Sequence, residues 1–381
     1  MIRRHQRLLL AASAAAAGMV GASVVFYKND LARAREAARR SSLLTHTDAG
    51  LIEYADIGAG VPLLSIHGAA GGFDQGLANA TQFAGEGFRV IAPSRFGYLR
   101  TPIPRDTSPA AQADAHAALL TTLDLPKAIV LAVSAGARSA VELAIRHPNR
   151  VAALVLVVPG LTAAGPASSD PSRVQRLAFP VVRAGGDFAW WAAEKVAPLA
   201  LLRLAGVRPA LVAAAPQAER DRLMGILKRV EPVSLRLPGL GIDGRPKPRR
   251  LPLEAIGAPT LIVCARDDSF DTLPGAELAA RQIRGARLVA FDTGGHLLVG
   301  RLPEVRAAVR AFLADAGLIP ALVDRQLGKE GGKVQRVPPC IRRRVGGGMR
   351  FAFPPYSAPA ARCARQHPGT PRAAPPSSRP N

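Results

Sequence analysis

The sequence predicts an α/β fold in which a mostly parallel sheet is covered by helices. From about residue 50 onward, short runs of aliphatic and β-branched residues alternate with stretches of helical periodicity, the pattern of strands joined by crossover helices. The chain has 381 residues, and the stretch from 42 to 317 is long enough for one large domain with a substantial core. The alternation is interrupted once, between about Leu161 and Arg250.

Each strand is predicted from an apolar run bounded by turn residues. The predicted strands are Leu51–Asp56, Pro62–Ile66, Arg89–Ala92, Ala128–Val133, Ala153–Val158, Thr260–Cys264 and Arg287–Phe291. Helices are predicted between most of them, over residues 109–123, 136–146, 275–284 and 303–315. Inside the interruption, Phe188–Ala205 and Ala218–Arg229 have helical patterns and no strand is evident. We therefore interpret residues 161–250 as a helical insert, a candidate cap over a site.

The net charge is concentrated at the two ends of the chain. The formal charge of +22 taken alone suggests a protein that binds nucleic acid or a membrane surface. Residues 1–41 contribute +6, residues 318–381 contribute +10, and the 42–317 domain contributes only +6. Because no base-reading module accompanies the basic residues, we expect no nucleic-acid partner.

Cysteine use excludes two classes of small domain. The chain has three cysteines, too few for a disulfide framework or for a zinc module with four cysteine ligands. Cys264 lies in an apolar run and is predicted to be a core residue.

The N-terminal region, residues 1–41, is predicted to direct the protein to a membrane. An uncharged stretch from Leu8 to Tyr27 is flanked by basic residues, and twenty helical residues span about 30 Å, the thickness of the hydrocarbon core. One hypothesis is a retained single-pass anchor with the catalytic domain outside the cytoplasm. The alternative is a signal peptide cleaved near Val20-Gly21-Ala22, followed by export.

The C-terminal region, residues 318–381, is predicted to be a disordered basic tail outside the folded domain. It contains eleven prolines, seven glycines and the run Arg342-Arg343-Arg344, and it lacks helical or strand periodicity. Such a composition cannot form a packed core.

A candidate nucleophile stands at the end of the strand Ala128–Val133. Ser134 follows this strand directly, with the small residues Ala132 and Gly136 on either side. A sharp strand-to-helix turn needs small neighbours because the serine backbone is strained and adjacent chains approach closely. The helix that follows directs its N-terminus at the serine and favours a developing oxyanion there.

A glycine-rich loop follows the strand Pro62–Ile66 and predicts an oxyanion hole. The loop reads His67-Gly68-Ala69-Ala70-Gly71-Gly72, and it can turn the N–H of Ala69 toward Ser134. Together with the N–H of Ala135, this donor would complete a two-donor site. A phosphate-binding loop is the alternative, but neither GxGxxG nor GxxxxGK[ST] is present here.

An acid and a histidine follow the last two predicted strands. Asp267 and Asp268 come after Thr260–Cys264, and His296 comes after Arg287–Phe291. The order serine, acid, histidine is that of a hydrolase triad, and catalytic groups belong at the carboxyl ends of parallel strands. Asp268 fits the spacing best, while Asp267 and Asp271 remain alternatives. His296 would take the proton of the serine, and the acid would orient the imidazole.

These motifs together resemble the α/β-hydrolase superfamily over about residues 48–316. The matching pieces are His67-Gly68-Ala69-Ala70-Gly71, Pro93-Ser94-Arg95-Phe96-Gly97-Tyr98, Ser134 with its flanks, Asp268 and Gly294-Gly295-His296. The resemblance implies an eight-stranded sheet, a cap formed by residues 161–250 and a Ser-Asp-His mechanism that needs no cofactor. Two departures are Ala132 in place of the usual first glycine of the serine turn and Ser94 where many relatives have aspartate.

The sequence thus predicts a serine hydrolase that cleaves an ester, a lactone or a related acyl bond of a small, fairly apolar molecule. A carbon–carbon hydrolase or a perhydrolase would use the same triad, and a non-catalytic small-molecule binding protein is the rival from another class. Trp190 and Trp191 are expected to pack the insert and are candidate pocket residues. His67 is a further pocket candidate, interpreted as a residue that shapes its loop. No metal site is predicted.

Overall fold

An eight-stranded sheet organises the part of the chain that the structure describes. A computed structural model describes residues 2–161, 186–244 and 251–320, with side chains in the first helix from Gly21 onward. In chain order the strands are β1 (Leu43–Thr47), β2 (Gly50–Ile57), β3 (Val61–Ile66), β4 (Phe88–Pro93), β5 (Ala128–Val133), β6 (Val151–Val157), β7 (Thr260–Ala265) and β8 (Arg287–Phe291). Their order across the sheet is β1-β2-β4-β3-β5-β6-β7-β8.

Strands β3 to β8 are mutually parallel, whereas β1 and β2 form an antiparallel edge next to β4. The central strand β5 is a continuous apolar run, and Ile129, Val130 and Leu131 are fully buried because helices cover both faces of the sheet. The carboxyl ends of the parallel strands lie at one edge. The loops that follow β3, β5, β7 and β8 therefore meet there.

Helices cover the two faces of this sheet. They are α2 (Phe73–Asn79), α3 (Pro109–Thr122), α4 (Ala137–Arg146), α10 (Leu273–Gln282) and α11 (Leu302–Asp315). The buried side chains of α3, α4 and α10 share one apolar cluster with the sheet, and those of α11 share the cluster on the opposite face. Helix α3 begins where the Ser108 hydroxyl accepts a hydrogen bond from the N–H of Ala111 and a proline opens the first turn.

The insert between β6 and β7 is helical in its described residues. It contains α5 (186–196), α6 (Pro198–Leu204), α7 (Pro209–Ala214), α8 (Gln217–Lys228) and α9 (Leu237–Asp243). These helices pack around their own apolar cluster, which includes Trp190, Leu202, Leu223 and Leu227. We use the name helical insert for residues 186–244. Residues 162–185 and 245–250 of the predicted 161–250 insert lie outside the described residues.

Two local differences from the sequence prediction have clear causes. Strand β1 was not predicted, because Leu43–Thr47 is an edge strand with a half-exposed, partly polar sequence rather than an apolar run. The single helical pattern over Phe188–Ala205 corresponds to two helices. They meet at Ala197 because Pro198 lacks the N–H that a continuous helix needs, and it opens α6 instead.

The N-terminal region forms one helix, α1 (Ile2–Arg40), which includes the predicted apolar stretch. Within the residues for which the structure gives a description, no helix has both the length and the apolar character needed to span a membrane. The side chains of Leu8–Val20 lie outside that description, as do residues 321–381 of the predicted tail.

Two glycines of α9 provide a test of how the insert is seated. A Cβ atom at Gly239 would overlap the ring of Tyr98, whereas a Cβ at Gly241 would meet no atom within 4 Å. We expect Gly239→Ala to lower the free energy of unfolding by about 1–3 kcal/mol through overpacking. Gly241→Ala, the same change two residues further on, should leave it unchanged or raise it by about 0.5–1 kcal/mol. Urea unfolding of both variants measures these changes. Equal changes in the free energy of unfolding would contradict the described packing of Gly239 against Tyr98.

Candidate active site

Ser134 lies at a strained turn between β5 and α4. Its φ of 51° is in the left-handed region, which is uncommon for a residue with a side chain, and a short 3-10 turn over Ser134–Gly136 leads into the helix. The turn leaves no room for larger neighbours. A Cβ at Gly136 would overlap the carbonyl oxygen of His67, and one at Gly160 would lie 3.1 Å from the Ser134 carbonyl oxygen. Ala132, in the position of the usual glycine, is completely buried.

A continuous chain of hydrogen bonds joins Ser134, His296 and Asp268. The Ser134 Oγ lies 2.9 Å from Nε2 of His296, and Nδ1 of the same ring lies 2.8 Å from Oδ2 of Asp268. Three loops, which follow β5, β7 and β8, supply these side chains at the carboxyl edge of the sheet. The structure therefore brings together the three residues that were predicted separately from the sequence.

The surroundings of Asp268 keep its carboxylate ionised and fixed. Burial raises its pKa, but the His296 ring and the hydrogen bonds from Thr272 and the Phe270 N–H outweigh burial and hold the pKa below 3.8. The Thr272 hydroxyl donates to Oδ2 at 2.5 Å and the Phe270 N–H donates to Oδ1 at 2.9 Å. An ionised carboxylate only accepts hydrogen bonds, so Nδ1 of His296 carries a proton, and in the neutral ring Nε2 is the nitrogen that can accept the Ser134 proton.

The two alternative acids are placed differently. Asp267 accepts a hydrogen bond from the N–H of Gly295 at 2.7 Å and one from Arg208 at 2.7 Å. It therefore ties the loop before His296 to the helical insert. Asp271 has a φ of 51°, and its N–H donates to the carbonyl oxygen of Asp268, so its backbone helps to close the turn after β7.

The predicted oxyanion loop lies directly against the serine. A Cβ at Gly68 would be 3.2 Å from the Ser134 Cβ and 3.3 Å from the Val133 carbonyl oxygen, so a side chain here would press on the serine turn. The Gly68 N–H donates to the Gln75 side chain at 2.7 Å. Ala69 follows in the same loop, and Ala135 is buried in the turn directly after the serine.

His67 is fully buried beneath this loop. Its Nε2 accepts a hydrogen bond from the N–H of Arg95 at 2.9 Å, and its Nδ1 lies 2.7 Å from the carbonyl oxygen of Gly68. A backbone N–H can only donate, so the proton of the ring is on Nδ1. Burial, assisted by the charge of Arg95, lowers the pKa of His67 well below 6.5 and keeps the ring neutral. These contacts agree with the interpretation of His67 as a residue that shapes its loop. A role of His67 in a substrate pocket stays a prediction.

The two tryptophans point to different neighbours. Trp190 is buried in the apolar cluster of the insert, and its indole N–H donates to the carbonyl oxygen of Leu227 at 3.2 Å. Trp191 packs against Tyr27 and donates to Asp30 at 2.8 Å, and both of these residues belong to α1. The contacts of Trp191 therefore join the insert to the N-terminal helix. A pocket role for either ring also stays a prediction.

Two residues near the oxyanion loop are not marked by any sequence signal for this role. Arg95 lies in the Pro93–Tyr98 segment, but that segment does not reveal its side-chain contacts with His67, Gly68 and Asp243. Asp243 ends α9, and no motif surrounds it that could have marked it. The Asp243 carboxylate lies near the site only because α9 of the helical insert packs against the sheet domain.

No metal centre is evident in the region the structure describes, since none of its His, Cys, Asp and Glu side chains form a group of three or more placed to hold an ion.

Comparison with known proteins gives the class to which this site belongs. Residues 61–300 match the model of the alpha/beta hydrolase fold family. An alpha/beta hydrolase fold protein from Nakamurella multipartita is 30% identical, with a TM-score of 0.54 over 73% of this chain and 100% of that one. A thermophilic esterase from Thermogutta terrifontis is 26% identical, with a TM-score of 0.55 over 72% of this chain and 98% of that one.

Curated relatives match over different lengths. A 2-hydroxy-6-oxo-6-phenylhexa-2,4-dienoate hydrolase from Comamonas testosteroni is 25% identical over 254 residues, which are 65% of this chain and 85% of that protein. The chain spans only 41% of the length of an uncharacterized hydrolase from Bacillus subtilis, with 34% identity over 118 residues.

The chain belongs to the α/β-hydrolase fold family, and it is a hydrolase. The eight-stranded, mostly parallel sheet confirms the fold that the motifs predicted.

The lowered pKa of Asp268 predicts a stability contribution that depends on pH. Because the folded-state pKa lies below the ordinary value of 3.8, the ionised form stabilises the fold above about pH 4, and this contribution is lost as the pH falls through the folded-state pKa. We expect the stability difference between wild type and Asp268→Asn to be large at pH 7 and to shrink at pH 3.

Denaturant unfolding at pH 7, 5 and 3 measures this difference. Asp292→Asn makes the same chemical change on a side chain that is 91% exposed and should show a much smaller difference at every pH. A stability difference for Asp268→Asn that stays constant from pH 7 to pH 3 would contradict the lowered pKa.

Proposed function

We propose that residues 42–317 form the catalytic domain of a serine hydrolase that cleaves an ester, a lactone or a related acyl bond of a small, fairly apolar substrate. The observation that carries the proposal is the hydrogen-bonded chain from Ser134 through His296 to Asp268. The esterase from Thermogutta terrifontis among the similar structures supports the same class of reaction. Residues 318–381 lie outside the domain in this proposal, apart from Leu318 and Ile319, which pack against its apolar cluster.

In the first half of the reaction, Ser134 is the nucleophile. Its Oγ attacks the acyl carbon while Nε2 of His296 takes the hydroxyl proton, and Asp268 stabilises the imidazolium that results. The negative charge that develops on the acyl oxygen is held by the N–H groups of Ala69 and Ala135. The imidazolium then gives its proton to the leaving alcohol oxygen, which departs and leaves an acyl-enzyme.

In the second half, water takes the place of the alcohol. His296 removes a proton from the water, whose oxygen attacks the acyl carbon, and the same two N–H groups hold the oxyanion. Collapse of this intermediate breaks the bond to Ser134 Oγ, and His296 returns the proton to the serine. The strained backbone of Ser134 supports this role, because it holds the side chain at one place in both halves.

A carbon–carbon bond hydrolase is the second candidate. The observation in its favour is the relative from Comamonas testosteroni, which aligns over 85% of its own length and is named for a 2-hydroxy-6-oxo-dienoate substrate. The same Ser134 and His296 would serve, so a substrate panel rather than the site geometry separates the two reactions. A perhydrolase would also use this triad, and the same panel can be run with hydrogen peroxide as the acceptor.

Covalent labelling and a substrate panel test the proposal together. A fluorophosphonate probe should label wild type and fail to label Ser134→Ala, because the Ser134 oxygen, with His296 beside it, is the proposed nucleophile that displaces fluoride from phosphorus. In a chain-length series of nitrophenyl esters and lactones, Ser134→Ala should lower kcat by about 10³-fold or more. The panel includes 2-hydroxy-6-oxo-6-phenylhexa-2,4-dienoate, and faster turnover of this compound than of every ester would favour the carbon–carbon hydrolase.

The control for this experiment is Ser139→Ala, since Ser139 is a buried serine of the following helix whose hydroxyl contacts His116 and the Gly136 carbonyl oxygen. It should label like wild type. A folded wild-type protein that is neither labelled nor active on any compound of the panel would refute the proposed Ser134 reaction.

We also propose that Leu8–Tyr27 attaches the protein to a membrane, with the catalytic domain outside the cytoplasm. The support is the length of this uncharged stretch and the exposure of Val24, Val25 and Phe26 at its end, which are 39%, 58% and 64% exposed. Export after cleavage near Gly21 is the alternative, and the mass of the mature chain separates the two.

An arginine inside the stretch should weaken this attachment. We expect wild type to stay in the membrane pellet after sodium carbonate extraction, and Ala17→Arg to be released in part, because a central arginine costs about 3 kcal/mol on insertion scales. Ala37→Arg, the same change on an exposed residue of α1, is the control and should behave like wild type. Release of full-length wild type into the soluble fraction would contradict the proposed membrane anchor.

A further inference from the structure

One arginine connects the helical insert to the oxyanion loop. Nε of Arg95 donates to the carbonyl oxygen of His67 at 3.0 Å, and Nη2 donates to the carbonyl oxygen of Gly68, also at 3.0 Å. Nη1 and Nη2 also donate to the two carboxylate oxygens of Asp243, both at 2.7 Å. The Tyr98 hydroxyl donates to the same carboxylate at 2.5 Å. The arginine is 6% exposed, so this guanidinium is held almost entirely by protein groups.

The carbonyl of Gly68 determines where the next N–H points. This oxygen accepts hydrogen bonds from Arg95 and from Nδ1–H of His67, so it is held toward those two side chains. In a planar trans peptide, the C=O of one residue and the N–H of the next point in opposite directions. Holding the Gly68 carbonyl therefore directs the N–H of Ala69 away from Arg95.

Arg95 cannot adopt this position without a partner for its charge. A buried guanidinium needs a carboxylate, and a bidentate pair also fixes the plane of the fork. Asp243 is the carboxylate that the structure supplies, and it is the last residue of α9. The carboxylate that orients the arginine thus belongs to the helical insert, whereas the carbonyls that the arginine holds belong to the sheet domain.

We propose that Asp243 is a positioning residue for the oxyanion hole, which acts through Arg95 on the Gly68–Ala69 peptide. The insert then does more than cover the site, because the seating of α9 completes one of the two oxyanion donors. This inference rests on the proposed function. It adds that transition-state stabilisation depends on a carboxylate outside the triad that touches no reacting atom.

A second ion pair between the insert and the sheet domain provides a matched control. Arg236, which is completely buried, donates to the carboxylate of Asp74 at 2.7 Å and to the carbonyl oxygen of Gly71 at 2.7 Å. Like Arg95–Asp243, this pair joins the helical insert to the sheet domain, but here the insert supplies the arginine and the sheet domain supplies the carboxylate. Its contact with the loop is at Gly71, however, and not at the Gly68–Ala69 peptide.

Asp243→Asn and Asp74→Asn are therefore compared in the full-length protein, with kcat and KM for a nitrophenyl ester, the rate of fluorophosphonate labelling and the melting temperature. We expect both to lower the melting temperature. Asp243→Asn should also lower kcat and the labelling rate by about 10–100-fold with KM changed less than about 3-fold, since one oxyanion donor is worth about 10²–10³-fold. Asp74→Asn should change kcat less than about 3-fold.

Two further variants keep the test decisive if Asp243→Asn folds poorly. Tyr98→Phe removes the hydroxyl that hydrogen-bonds Asp243 and the backbone of Ala70 and leaves the Arg95–Asp243 ion pair in place, so we expect a 3–10-fold loss in kcat. Arg95→Lys keeps the positive charge but loses the planar guanidinium that makes the bidentate contact with Asp243. Its kcat should therefore be lower than that of wild type.

Equal losses of kcat in Asp243→Asn and Asp74→Asn would show that the Asp243–Arg95 ion pair contributes only to stability, and this result would overturn the proposal. Wild-type kcat in Asp243→Asn or in Arg95→Lys would overturn it as well. Failure of the proposed function has a different signature, namely an unlabelled wild type or an active Ser134→Ala.

Discussion

The left-handed backbone of Ser134 is the constraint on which the rest of the site depends. Because the chain turns from β5 into α4 within three residues, neighbouring segments must pass at backbone distance. Gly68, Gly136 and Gly160 are the positions where that approach occurs, and a side chain at any of them would press on the serine turn or the oxyanion loop. The tight turn therefore determines where the oxyanion loop lies, and it presents the serine hydroxyl to the histidine from the strand edge.

The helical insert reaches both sides of this turn. On one side, a Cβ at Gly206 would lie 2.7 Å from the His296 Cβ, and the His296 N–H donates to the Gly206 carbonyl oxygen at 3.2 Å. On the other side, Asp243 reaches the oxyanion loop through Arg95. Neither contact places an insert residue in the hydrogen-bonded chain itself. The insert thus influences the histidine and the oxyanion loop by packing and by orienting one arginine.

Local sequence signals were sufficient for seven of the eight strands and for the three central side chains. Strands such as β5 and β7 are unbroken apolar runs because both of their faces are covered, so they stand out from their surroundings. Strand β1 did not stand out, because an edge strand with polar residues has no such run. Spacing favoured Asp268 as the acid and left Asp267 and Asp271 as alternatives. Asp267 and Asp268 differ in the direction of their side chains, one toward Gly295 and Arg208 and the other toward His296.

The sequence by itself determined the fold class, the order of serine, acid and histidine, and the loop that lies against the serine, because each rests on short motifs whose own residues lie close together in the chain. Only the tertiary structure decided which aspartate contacts His296 and that Arg95 is held by Asp243, 148 positions away. It also placed Trp191 against α1, a contact across 161 positions. The physical reason is the same for all three. A hydrogen bond between residues distant in the chain depends on how helices and strands pack together, and the residues near each partner in the sequence do not indicate that packing.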